Sequence, residues 1–299
     1  MGLRGKSINL FLMDSDPSGR IKCTLANWTG IVYKIPRTEL DKCKNREDLS
    51  QSGVYFLFGT SDQTGDNAVY IGQAGVRKNG EGILYRLQEH RRDPDKDYWT
   101  EAVVFTTSNN SFGNTEISYL ENRFCNMAKE SKRYQVKNDN EPTLGSITEE
   151  KESELEEFIE YSKIAMGTLG HKVFEKLVEK STSEVLQNGD TIITEQILYL
   201  KRKNQKSGNF VEGKGSQTTE GFVVFKGSQI DPDDSDNTLH RIKEIRQKAL
   251  INGNGILQED VLFKSPSAAA TFLLGYNANG LIEWKTADNK TLKDIEKEL

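Results

Sequence analysis

The chain has 299 residues, of which 35% are hydrophobic and 28% charged, with a formal net charge of −5. That length holds about two domains, the composition is too apolar for a disordered chain, and the acidic balance excludes a globally basic surface, so a nucleic-acid partner needs cations gathered locally. The three cysteines, Cys23, Cys43 and Cys125, are scattered and form no CxxC pair, which supports neither a disulfide framework nor a zinc cluster and fits a reduced, cytoplasmic setting.

The opening apolar run is too short for a signal segment or a membrane span, so no membrane partner is expected. Residues 6–14 read as a strand and 20–36 as one or two more, with a turn at "NWTG" (27–30). Residues 37–50 are charged and read as helix or loop. "GVYFLFGT" (53–60) and residues 68–72 read as the two strands of a hairpin. The first of these is apolar on both faces, so it is expected in the middle of a sheet. "GEGILYRLQEHRR" (80–92) has helical spacing at Ile83, Leu84 and Leu87. "AVVFTT" (102–107) reads as a buried strand, 113–131 as an amphipathic helix, and 134–142 as a short strand ending at a proline.

A shift in composition follows, with seven glutamates and one lysine between Glu149 and Glu160. Ser146 and Glu149 suggest a capping box, and Leu155, Phe158, Ile159 and Met166 keep an apolar stripe. The reading is a helix with a solvated acidic face over 148–166, whose stripe packs on the preceding domain or on a partner, either a second copy or another protein. Residues 203–220 are rich in Gly, Ser and Lys and read as a mobile loop. Beyond it come a strand at 221–230, a basic helix at 238–250, a helix at 265–275 capped by Ser265 and Gly275 with Pro266 in its first turn, and a strand at 280–286.

Tyr55 and Tyr70 stand on the paired strands of the hairpin, and Gly72 and Gly75 let the backbone approach a neighbour closely. Arg86 and His90, four apart, share one helix face, while Arg77, Lys78, Arg91 and Arg92 add local positive charge. Glu121 falls within the stripe of Ile117, Leu120, Phe124, Cys125 and Ala128. A carboxylate there is costly unless compensated, so it either pairs with an arginine or ligates a hard cation through oxygen.

"GVY" (53–55), "YIG" (70–72), "YRLQEH" (85–90), "YLENRF" (119–124) and "VKNDN" (136–140) resemble, in order and spacing, the motifs of the GIY-YIG nuclease superfamily, with Val54 in place of its isoleucine. The resemblance covers about residues 50–142. It implies an α+β domain with a small antiparallel core sheet flanked by helices, and hydrolysis of DNA phosphodiesters with one Mg²⁺ or Mn²⁺. It implies Tyr55 as the group that activates water, Tyr70 as a second tyrosine in the same site, and Arg86 as the clamp on developing phosphate charge. It further implies His90 as an aid to proton transfer or phosphate binding, Glu121 as the metal ligand, and Asn138 or Asn140 as a phosphate contact. Gly72, Arg77, Lys78, Arg91 and Arg92 are then expected to line the nucleic acid. Gln73 stands where some members carry a lysine. A phenol titrates near 10, so a base near neutrality needs that value lowered by ~2–3 pH units, roughly 3–4 kcal/mol, from a nearby metal and arginine.

"GFVVFKGS" (221–228), "SPSAAATFLLG" (265–275) and "NGLIEWK" (279–285) resemble a small domain of uncharacterised function akin to modules of restriction enzymes and adenine methylases. The expected organisation is a β-rich leader (1–49), the nuclease domain (50–145), a helical linker (146–202) and a small α+β DNA-recognition domain (203–299). The alternative function is a catalytically silent DNA-binding or protein-interaction module on the same fold. The presence of Tyr55, Tyr70, Arg86 and Glu121 together argues against it.

Overall fold

A computed structural model describes residues 5–61, 65–138, 146–177, 196–203 and 208–298. The chain is mixed α+β and divides into two compact units, residues 1–176 and 177–299.

In the first unit, strands β1 (Ile8–Leu12), β2 (Ile21–Leu25), β3 (Gly30–Pro36), β4 (Gly53–Thr60), β5 (Asn67–Ala74), β6 (Trp99–Thr107) and β7 (Gln135–Val136) make one seven-stranded sheet in the order β1-β2-β3-β6-β4-β5-β7. Strand β7 runs parallel to β5. The other pairings are antiparallel. Strand β4 is interior, flanked by β6 and β5, as its two apolar faces require. The leader is not a separate domain. Strand β3 pairs with β6 along its whole length, from Gly30 opposite Thr107 to Pro36 opposite Glu101.

Side chains alternate along β4 and supply two cores. On one face Val54, Phe56 and Phe58 meet α2 (Asn114–Ser131) and α3 (Glu149–Thr168). On the other, Tyr55 and Leu57 meet α1 (Ile83–Arg92) and two 3-10 segments at Arg37–Cys43 and Glu47–Ser50.

Residues 148–166 do not form a linker. Leu155, Phe158, Ile159 and Met166 of α3 are buried in the first core, and the Trp28 ring of the 27–30 turn packs on Phe158 and Tyr161 at centroid distances of 4.8 and 5.7 Å. Glu156 pairs with Arg123 of α2 at 2.6 Å and accepts from the Tyr119 hydroxyl at 2.7 Å. The apolar stripe is thus taken within the chain, and only the outer glutamates remain for a partner. The cap also differs from expectation. Thr148, not Ser146, accepts from the Lys151 amide, because the helix begins two residues closer to its apolar stripe.

In the second unit, β8 (Ile197–Lys203), β9 (Phe210–Thr218), β10 (Gly221–Val224) and β11 (Val261–Phe263) form an antiparallel sheet in the order β11-β10-β9-β8. It packs with α4 (His240–Lys248), α5 (Pro266–Leu274), α6 (Gly280–Glu283) and α7 (Leu292–Glu296) around Phe222, Phe272, Leu273 and Trp284. Two expectations fail here. Of the stretch 203–220 read as a loop, residues 204–207 lie outside the described residues and Phe210–Thr218 form strand β9, whose Gly213 and Gly215 leave the room that the Leu273 and Phe222 side chains fill. The stretch read as a closing strand begins with the short helix α6, because the Asn279 side chain caps it by accepting from the Leu281 amide at 3.1 Å. Ser265 caps α5 as read, accepting from the Ala268 amide, and Gly275 ends it at φ +70°. Among the described residues no helix is long and apolar enough to cross a membrane.

Candidate functional site

The hairpin places both tyrosines on one side of the sheet. Tyr55 of β4 stands opposite Gly72 of β5, and Tyr70 lies two residues back on the same side. Their rings are 6.3 Å apart. The missing side chain of Gly72 is what makes this fit: a Cβ there would collide with the Tyr55 phenol and the Tyr70 ring. Gly72 is therefore the floor of the tyrosine pair.

Helix α1 brings His90 and Arg86 to this pair. Tyr55 is buried, and its hydroxyl lies 2.6 Å from His90 Nε2. The charge of the Arg86 guanidinium also acts on Tyr55. Burial, with Lys96 and Arg86 nearby, lowers His90 to about 4. The imidazole is therefore neutral near pH 7, and the tautomer with its proton on Nδ1 accepts from Tyr55. Burial also drives the Tyr55 phenol far above its ordinary value, with Tyr70 adding to the effect and Arg86 opposing it too weakly to reverse it. Tyr70 is raised by burial as well. The downward shift expected for a tyrosine base is thus absent from the protein alone. In its place Tyr55 has a neutral proton acceptor on its hydroxyl.

Arg86 keeps its charge against the cost of burial through Glu89, at 2.8 Å, and Tyr55. Glu89 also holds Arg77 at 2.9 Å. Arg77 lies over the Tyr85 ring at 4.8 Å. Arg91 turns away to pair with Asp41 at 2.9 Å. Of the five residues expected to line nucleic acid, then, Arg77 and Arg91 pair with carboxylates around helix α1, Gly72 packs under the tyrosines, and Arg77, Lys78 and Arg92 are exposed.

Glu121 is half-buried rather than sunk in the apolar stripe. Burial raises its carboxyl above the ordinary value, while a hydrogen bond from Gln73 and the charge of Arg86 hold it down in part. Ser118 donates to Gln73 Oε1 at 3.1 Å, and Gln73 is near enough to Glu121 to act on its carboxyl. The field of Glu121 reaches both Tyr55 and Tyr70. Tyr55, Tyr70, Arg86, His90 and Glu121 therefore form one cluster.

Asn138 is not in it as a ligand. Its Oδ1 accepts from the Ile71 amide at 3.1 Å and its Nδ2 donates to the Ile71 carbonyl at 2.7 Å. The side-chain amide continues the β5 edge where β7, paired only with Ala68 and Val69, stops. Both its groups are committed to backbone, so its role is to hold the Tyr70 strand. Asn140 lies outside the described residues.

Two residues went unseen in the sequence. Lys96, between aspartates at 95 and 97, places its ammonium 3.7 Å from the Tyr70 ring centroid. Arg37 binds the segment that carries it, donating to the carbonyls of Asp97 and Trp99 at 2.8 and 3.1 Å and to that of Arg91 at 3.1 Å. Charge alternation in "DPDKD" reads as a solvated turn, and nothing local marks it as part of a site.

Residues 203–296 match a family described as a domain of unknown function, DUF4357. No curated protein and no solved structure matches the chain.

Proposed function

We propose that the chain is a metal-dependent endonuclease of GIY-YIG type, hydrolysing DNA phosphodiesters in restriction, defence or repair. The observation that carries this reading is the Tyr55 hydroxyl, 2.6 Å from the neutral His90 imidazole and within the field of Arg86; in the reading, Tyr55 donates to that imidazole. That chain of groups can accept a proton from water without ever forming a free phenolate. As Tyr55 takes the proton of an attacking water, it passes its own to His90 Nε2. The new bond is P–O from water, and the broken bond is P–O to the leaving strand. Arg86 holds a non-bridging oxygen as charge builds there. The phosphate's negative charge favours the imidazolium that the relay creates, opposing the burial that otherwise lowers His90.

Glu121 fits a hard divalent ion. It is a single carboxylate whose charge burial disfavours, with Arg86 as the nearby opposite charge. Mg²⁺ keeps several of its waters, so one carboxylate plus substrate oxygens is enough. Among the described residues no three His, Cys, Asp or Glu side chains gather to make a closed cage. When bound, the ion supplies Lewis-acid stabilisation of the leaving oxygen.

The test is conversion of supercoiled plasmid to nicked and linear forms by the intact chain with Mg²⁺ or Mn²⁺, beside Glu121→Gln. Cleavage that needs the metal and Glu121 supports the reading. A wild-type chain that leaves plasmid uncut overturns it.

A further inference from the structure

Lys96 stands apart from the helix and the strands that supply the rest of the cluster. It lies in a 3-10 turn, Pro94–Lys96, just beyond α1. Its ammonium is over the face of Tyr70 at 3.7 Å, and Tyr70 in turn meets the His90 ring edge-to-face at 5.4 Å. The turn is not free to swing. Arg37 stacks on Trp99 at 4.9 Å and grips the backbone on both sides of Lys96 through the Arg91, Asp97 and Trp99 carbonyls.

We propose that Lys96 is a phosphate-binding residue of this site, the second cation that grips the phosphodiester beside Arg86. The inference rests on the nuclease reading for its ligand. Three observations support it. A cation held over Tyr70 lies among the groups that reading assigns to the scissile phosphate. The clamp from Arg37 is an arrangement a solvated lysine would not need. Lys96 also acts on His90, where it is the foremost charge disfavouring protonation, ahead of Arg86 and against Asp93 and Glu89. Tyr55 and Tyr70 complete the surroundings of that imidazole. A phosphate seated on Lys96 would neutralise this charge and ease proton transfer to His90 as substrate arrives.

The experiment compares the intact wild-type chain with Lys96→Gln and Lys96→Arg. Binding of a short DNA duplex is measured against salt without divalent metal, and cleavage is measured with Mg²⁺. His90 is titrated by NMR, and with three histidines in the chain its signal is assigned from His90→Gln. For Lys96→Gln the expected result is binding weaker by about 5–10-fold, a salt slope shallower by about one phosphate, and a His90 titration moved up from about 4, with Lys96→Arg restoring all three. A wild-type chain that cuts DNA while Lys96→Gln cuts and binds equally well overturns the Lys96 role and leaves the nuclease reading standing. Lys96-dependent duplex binding without cleavage overturns hydrolysis but keeps the phosphate site. A chain that neither binds nor cuts overturns both.

Discussion

The Tyr55 hydroxyl and His90 Nε2 share a hydrogen bond of 2.6 Å, inside a buried cluster closed by the Tyr70 ring. Removing the hydroxyl in Tyr55→Phe leaves the imidazole nitrogen without its partner, at a cost of about 1–3 kcal/mol in stability. Turnover should fall by ~10²–10⁴-fold, the usual worth of a positioned proton-transfer group. Tyr70→Phe retains the ring on which Lys96 rests and should lose far less. Plasmid nicking rates and thermal melts of both variants check this. Equal, small losses of turnover would show both tyrosines to be structural.

His90 links the same cluster to pH. Its folded value of about 4 lies below the ordinary 6.5, so between these values the unfolded chain binds the proton more readily. Its contribution to stability is complete above 6.5 and is lost as pH falls through the folded value, by about 3 kcal/mol in all. His90→Gln should flatten the stability curve between pH 6.5 and 4. Denaturant melts at a series of pH values read this directly, and an unchanged acid slope in the variant would remove His90 as its source.

Asn138→Ala should destabilise the first unit by about 1–3 kcal/mol, because it strips two hydrogen bonds from the Ile71 backbone. Asn138→Asp keeps the acceptor for the Ile71 amide but turns a carboxylate oxygen toward the Ile71 carbonyl, so it should be no better. Amide exchange of Ile71 is the sharpest check. Rapid exchange in the Ala variant is expected, and retained protection would show that the strand edge holds itself.

For Glu121→Gln, cleavage should vanish while duplex binding persists. Burial raises the Glu121 carboxyl, so its charge is a burden on the folded state near neutrality, and the neutral amide should leave stability equal or slightly higher. Melting temperature, metal-dependent cleavage and metal-free binding give three separate readouts. A variant that cuts at the wild-type rate in Mg²⁺ would remove Glu121 from the metal site.

How much of this the sequence disclosed depended on whether the signal was local. The hairpin of Tyr55 and Tyr70 was legible, since strand alternation and a polar turn fix which residues share a face. So were α2 and the Ser265 cap. The pairing of β3 with β6 was not, because contacts spanning about seventy residues leave no periodicity behind. Strand β9 was hidden by its own glycines, present to admit Leu273 and Phe222. Asn138 looked like a phosphate contact because an asparagine that caps a strand edge and one that binds a ligand are the same letter. Arg37, which holds the Lys96 turn, is distant in sequence.

The last prediction concerns the second unit, whose match to a domain of unknown function leaves its role open to test. Its basic residues are not equivalent. Arg246 of α4 is buried, bonded to the carbonyls of Phe272 and Asp231 and paired with Asp234. Lys201 and Arg202 of β8 pair with Glu212 and Glu283. Arg241 and Lys248 lie seven apart on α4, so they share a face, and both are exposed. We therefore expect weak duplex binding by this unit to reside on Arg241 and Lys248. Arg241→Gln with Lys248→Gln in the intact chain should make the salt slope shallower by about two phosphates without changing the melt. Arg246→Gln should instead lower stability by roughly 3–5 kcal/mol, as removal of one partner from a buried, paired network does. Binding isotherms over a salt series, beside calorimetry, separate the two effects. If the double variant binds duplex as the wild type does, the recognition role of the α4 surface fails. The unit's function must then be sought in stabilising the chain rather than in choosing DNA.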